Sequence, residues 1–174
     1  MKKIFLLLLT ASAVIVLTGC SSQSNNKSDS SSNSSSAKSN SSSSSSSATT
    51  KTVQLDAEDS TRLLTNSWKF DQFSIDQIKA EAEDGVLELE INWKNASDHA
   101  TVFDDIGKVT VSQNGKELSI TEQDDDYNDS ILPNKTEDFE LSYRYTGVDN
   151  PIKVSIHPTD TSRPTRTVTV QLKN

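Results

Sequence analysis

Two dipeptides, Asp84-Gly85 and Asn114-Gly115, each sit in the middle of a stretch in which apolar and polar residues alternate. A two-residue turn of this kind needs positive φ at both central positions, which Asn, Asp and Gly tolerate, and it joins antiparallel strands. Folding the chain at Asp84-Gly85 sets Ala82 against Leu87, Ala80 against Leu89 and Ile78 against Ile91. Lys79 then faces Glu90, a favourable cross-strand pair, while Glu81 faces Glu88, an unfavourable one. Folding at Asn114-Gly115 sets Val111 against Leu118 and Val109 against Ile120, with Thr110, Ser112, Glu117 and Ser119 on the other face. Read alone, the segment 75–83 also suits a helix, since Ala, Glu, Gln and Lys favour one, but the pairing argument favours strand. Parity and turn chemistry agree in both hairpins and point to a sheet with one buried face.

The same period of two recurs downstream in Phe139, Leu141, Tyr143 and Tyr145, in Ile152, Val154 and Ile156, and in Val168, Val170 and Leu172. Pro133-Asn134, Gly147 to Pro151 and Pro158 to Pro164 separate these runs. Upstream, Trp68, Phe70, Phe73 and Ile75 change parity, and a bulge near Asp71-Gln72 restores a common face. About seven strands, each apolar on one face, predict an all-β, antiparallel, immunoglobulin-like β-sandwich. Trp93 continues the Leu87, Leu89, Ile91 face and is expected in its core.

The sandwich is expected over residues 52–174, because what precedes it has a different texture. Residues 21–50 hold 18 serines and no large apolar side chain. Such a tract has nothing to bury and is expected to stay a flexible tether, with a root-mean-square span on the order of 30 Å. Before it, Lys2 and Lys3 precede the apolar run 4–17 and then Leu17-Thr18-Gly19-Cys20. This is the layout of a secretory signal, and the run is shorter than the ~20 residues of a membrane-spanning helix. Leu17, Thr18, Gly19 and Cys20 resemble the lipobox of bacterial lipoproteins at every position. The resemblance implies cleavage between Gly19 and Cys20 and a diacylglyceryl group on the Cys20 sulfur. Two acyl chains anchor a protein stably where one does not. The expected organisation is a signal peptide over 1–19, a lipidated Cys20 with its linker over 20–51, and the sandwich over 52–174. The expected place is the outer face of the cell membrane. Cys20 is the single cysteine, so no intramolecular disulfide forms.

The run Leu87-Glu-Leu-Glu-Ile-Asn-Trp-Lys-Asn-Ala-Ser97, the hairpin Val111-Ser-Gln-Asn-Gly-Lys-Glu-Leu118 and the turn Pro133-Asn-Lys-Thr-Glu137 resemble domain of unknown function 5067. The resemblance covers about residues 68–172. It implies a lipoprotein of a Gram-positive bacterium with an immunoglobulin-like fold, and it brings no catalytic residues. The family's turn often has Gly where Asn134 stands, and Asn also tolerates positive φ.

The net charge of −8 excludes nucleic acid as a natural partner. His99 and His157 have no second histidine at metal spacing and no thiol to join them. With no nucleophile–base set either, neither an enzyme nor a cofactor is expected. Asp124, Asp126 and Asn128 reproduce the alternating oxygens that open a calcium loop. The pattern then breaks, because Asp129 replaces the glycine and Lys135 the closing glutamate, so a solvated loop is the favoured reading of this weak metal candidate. Tyr127, Tyr143 and Tyr145 are candidates for an exposed recognition strip, with core packing favoured for Tyr143 and Tyr145. The expected role is a non-enzymatic binding or interaction module. Its partner would be an envelope or extracellular component, beside the membrane reached through the Cys20 lipid. The alternative is a passive structural or protective lipoprotein, and an exposed aromatic patch would separate the two.

Overall fold

Two-residue turns and strict alternation settle most of one sheet. The computed structural model describes residues 49–174; the lipobox Leu17–Cys20 and most of the serine tract lie outside the described residues. Strands β1 (Thr49–Gln54), β2 (Thr61–Arg62), β3 (Trp68–Lys69), β4 (Phe73–Glu83) and β5 (Val86–Asn95) come first. A helical turn, α1 (Phe103–Ile106), leads into β6 (Gly107–Gln113), β7 (Lys116–Glu117) and β8 (Ile120–Gln123). After a 3-10 turn over Asp125–Asn128 the chain forms β9 (Thr136–Arg144), β10 (Ile152–Pro158) and β11 (Arg166–Lys173). One sheet runs β1-β11-β10-β6-β7 and the other β2-β4-β5-β9-β8, with β3 also on β4. The chain is an immunoglobulin-like β-sandwich, and the expected fold class holds.

The β4–β5 hairpin has the expected register throughout its turn-proximal half, including Lys79 opposite Glu90 and Glu81 opposite Glu88. Asp84 and Gly85 have φ of 50° and 80°, as do Asn114 and Gly115 with 53° and 74°. Asn134, in the Pro133-Asn134 turn, also takes positive φ, at 63°. The inward residues of β4, β5, β6, β9, β10 and β11 form one core, with Trp93 at 1% exposure.

Four expectations are corrected. The bulge is not at Asp71-Gln72, which is instead a tight turn between β3 and β4, closed by Phe70 N–H donating to Phe73 O at 2.9 Å. The register slips between Ile75 and Gln77, so the extra residue is Asp76, and there the inward parity changes from Phe73 and Ile75 to Ile78, Ala80 and Ala82. Second, the β6–β7 hairpin stops early. Leu118 N–H donates to Val111 O at 2.7 Å, but Ile120 pairs with Tyr143 in the opposite sheet rather than with Val109. Third, three residues assigned to the linker, Thr49 to Lys51, belong to β1. Fourth, the sandwich is not purely antiparallel, because β1 runs parallel to β11. Leu55 then carries the chain across to β4, donating to Lys173 O at 2.7 Å and bridging to Ala82. Chain crossings at Leu55 and Ser119 thus stitch the sheets together along both sides.

Candidate functional site

The outward positions of β5 and β9 include four acids, Glu88, Glu90, Asp138 and Glu140, with Lys94 and Arg144 towards the strand ends, and pairing of these strands gathers the acids. Glu90 lies opposite Glu140, and Asn92 opposite Asp138. Glu88 lies between Glu81 on β4 and Ser142 on β9, and Glu122 on β8 follows on the far side of Ser142. The array therefore crosses four strands. Lys79 on β4 pairs into it, its ammonium donating to both Glu90 carboxylate oxygens at 2.6 and 2.9 Å. Like charges opposed across strands destabilise a sheet. Partial burial raises the Glu88 carboxyl above its ordinary value, and Glu140, Glu81, Glu122 and Glu90 raise it further. Glu140 is raised in the same way, by burial and then by Asp124 and Glu90.

Asp124 uses its carboxylate inside the fold. Glu140 N–H donates to Oδ2 at 2.9 Å and Tyr127 N–H donates to Oδ1 at 3.2 Å. It caps the 3-10 turn, and its pKa is still raised because burial outweighs these two bonds. Asp126 and Asn128 lie within that turn. Among the described residues no group of three or more His, Cys, Asp or Glu side chains is placed to hold a metal ion. Of the three oxygen-bearing residues, Asp124 serves as the cap of this turn.

The loops 95–106 and 122–135, separate in sequence, form one knitted end of the sandwich. Tyr127 is buried, and its hydroxyl donates to Asp104 Oδ1 at 2.8 Å. Its ring packs edge-on against Phe139 at 4.9 Å and tilted against Phe103 at 6.2 Å. Asn95, fully buried, donates from Nδ2 to His99 O at 2.8 Å and to Ile131 O at 3.0 Å. Its Oδ1 accepts from Ser97 N–H at 2.8 Å and from Ser97 Oγ at 2.7 Å. Thr101 and Ile131 exchange backbone hydrogen bonds beside it. Asn95 was legible only as part of a turn, since nothing local announces its bond to Ile131.

The tyrosine strip does not form. Tyr143 is buried at 1% exposure, and Tyr145 is half-buried against the same core. Among the described residues the exposed large apolar side chains are Ile120 and Leu132. His157 bridges Thr110 Oγ1 at 2.7 Å and Thr165 Oγ1 at 3.0 Å, tying the end of β10 to its neighbours. His99 is exposed and meets Asp98 Oδ1 at 2.8 Å. The two histidines are not brought together.

No family model matches the chain, and no curated protein matches it. Among solved structures, the chain is similar to an uncharacterized beta-sandwich protein from Clostridium difficile 630, at 15% identity and a TM-score of 0.43. The match covers 71% of this chain and 96% of that one. It is also similar to the GAE domain of GGA2p from Saccharomyces cerevisiae, at 12% identity and a TM-score of 0.36, over 67% and 98% of the two chains. The secreted serine protease VesC from Vibrio cholerae matches at 12% identity and a TM-score of 0.34, over 55% of this chain and 22% of that one. These likenesses speak neither to chemistry nor to partners.

Proposed function

We propose that this protein is a lipid-anchored surface lipoprotein whose sandwich is a non-enzymatic binding module for cationic partners in the cell envelope. The observation that carries the reading is the carboxylate array on the outer face of β4, β5, β9 and β8. Glu81–Glu88 and Glu90–Glu140 stand directly opposed in register, an arrangement that costs stability and that a bound cationic surface relieves. Anchoring through Cys20, removal of residues 1–19 and membership of the domain of unknown function 5067 family are parts of the same proposal, supported by the sequence motifs. Crosslinking capture on the parent envelope tests it, comparing the lipoprotein with a Glu81→Gln, Glu88→Gln, Glu90→Gln, Glu140→Gln variant. One component enriched by the first and lost with the second supports the reading, and equal capture by both refutes it. Cys20→Ala is expected to release the protein from the membrane fraction, and retention would refute the anchor.

The second reading is a passive structural lipoprotein. The small number of exposed large apolar side chains among the described residues favours it, since an aromatic binding patch is not formed there. Loss of all capture in both forms would favour this alternative.

A further inference from the structure

The early end of the β6–β7 hairpin leaves a notch between the sheets, where β7 peels away from β6 and becomes β8. Its volume is about 390 Å³, and its walls include Val109, Val111, Leu118, Ile120 and Tyr143. Three features there are unmet. Val111 is a hydrogen-bonded position towards β7, because its carbonyl accepts from Leu118 N–H. By the two-residue alternation of an antiparallel ladder, Val109 directs its N–H and C=O to the same side. Ile120, which would have answered them, is paired with Tyr143 in the other sheet. The Tyr143 hydroxyl, on a side chain 1% exposed, has no hydrogen-bond partner among the described residues. A buried hydroxyl without a partner is a cost to the fold. Ile120 keeps 41% of its surface exposed at the rim.

We propose that this notch binds an extended peptide segment of a partner protein, which adds as a short strand beside β6 at Val109. Strand addition at an open edge takes its affinity from backbone bonds and its specificity from pockets for alternate side chains. The peptide N–H and C=O meet those of Val109, an apolar side chain enters between Val111, Leu118 and Ile120, and a peptide carbonyl accepts from Tyr143 Oη. Lys108 and Glu117 both border the notch and pair at 3.8 Å, so its rim carries one charge of each sign. The preference comes from the whole chain, whose net charge of −8 favours a basic segment on approach. This inference concerns a different surface from the carboxylate array and stands if that reading fails.

The test is selection from a displayed library of random linear decapeptides on the full mature chain carrying Cys20→Ser, followed by titration of the synthetic winners. Selected peptides are expected to combine an apolar residue with basic neighbours and to slow hydrogen exchange at the Val109 amide. Tyr143→Phe is expected to weaken them about fivefold to tenfold while leaving thermal stability equal or higher, since it removes an unpartnered hydroxyl. Ile120→Arg, a rim change at an exposed position, is expected to weaken them more than tenfold. Glu88→Gln with Glu140→Gln is expected to change affinity less than twofold, which separates the notch from the acidic face. Failure to select any peptide, or winners indifferent to both Tyr143→Phe and Ile120→Arg, overturns the proposal. A concentration-dependent dimer abolished by Ile120→Arg overturns it in favour of a second copy as occupant.

Discussion

Replacing Asn95 by alanine tests whether one buried carboxamide holds the loop end of the sandwich together. The substitution removes four hydrogen bonds and leaves the backbone bonds of residue 95 to Asn134 and Lys135 intact. Two carbonyls lose a donor, yet each keeps another: His99 O retains Ser97 Oγ at 2.9 Å, and Ile131 O retains Thr101 N–H at 3.1 Å. The loss is therefore smaller than for four orphaned groups. With a net contribution of about 1 kcal/mol per bond, less for those to half-exposed Ser97, destabilisation of about 2–4 kcal/mol follows. For a domain of this size that corresponds to a fall in Tm of roughly 6–16 °C. Calorimetry measures the total. Hydrogen exchange at the Thr101 and Ile131 amides locates it, because that mutual pair lies beside the lost carboxamide. Ser97→Ala, which removes only hydroxyl bonds, is the control and is expected to cost under about 1 kcal/mol.

Asn95→Asp adds a sign to the same experiment. The carboxylate keeps the acceptor for Ser97 but faces two carbonyls without a donor, and burial raises its folded-state pKa above the unfolded value of about 3.9. Its ionisation penalty is absent below the unfolded value and grows as pH rises towards the folded one. The variant is thus expected to lose more stability, relative to the native chain, at pH 7 than at pH 4. A fall in Tm of less than 2 °C for Asn95→Ala, with unchanged exchange at Thr101 and Ile131, would refute the assignment.

Gly107→Ala is expected to lower stability by about 1–3 kcal/mol, read by denaturant unfolding, through overpacking rather than backbone strain. A Cβ at Gly107 would stand 2.9 Å from Phe103 Cζ and 3.0 Å from Phe73 Cζ, inside the aromatic cluster. Lowering the pH from 7 towards 4.5 is expected to raise Tm, because Glu88 and Glu140 have folded-state values above 4.5. In that window the folded chain binds more protons than the unfolded one, so stability falls as pH rises. Asp98 and Asp160, whose values are lowered from 3.8, act in the opposite sense only below that pH. Glu88→Gln should flatten the rise, and an unchanged profile in that variant would count against the array as its source.

From its turn out to Ile78 and Ile91 the β4–β5 hairpin was legible residue by residue. Asp84-Gly85 fixes the turn, parity fixes the inward face, and neither depends on the rest of the chain. The Asn114-Gly115 turn was legible for the same reason, and so were the inward faces of β9, β10 and β11. What failed were choices between partners far apart in sequence. Ile120 has equal parity for Val109 and for Tyr143, and only the assembled edges of both sheets decide between them. The polar Thr49–Lys51 segment gives no local sign of a strand, because its ladder is supplied by Val168–Val170 at the other end of the chain.

The candidate surfaces divide along the same line. Glu88, Glu90, Asp138 and Glu140 show their outward alternation in sequence, but that they form one array depends on β5 lying beside β9. Asp124 and Tyr127 carry polar groups that suit a cation or a ligand, and the fold spends them on Glu140, Tyr127 N–H and Asp104 instead. By itself the sequence determined the turns, the faces and the presence of one apolar core, because these follow from φ preference and a period of two. Tertiary structure alone decided strand neighbours, the site of the bulge, and which side chains remain unpartnered, because those depend on contacts between segments that carry no local mark of each other.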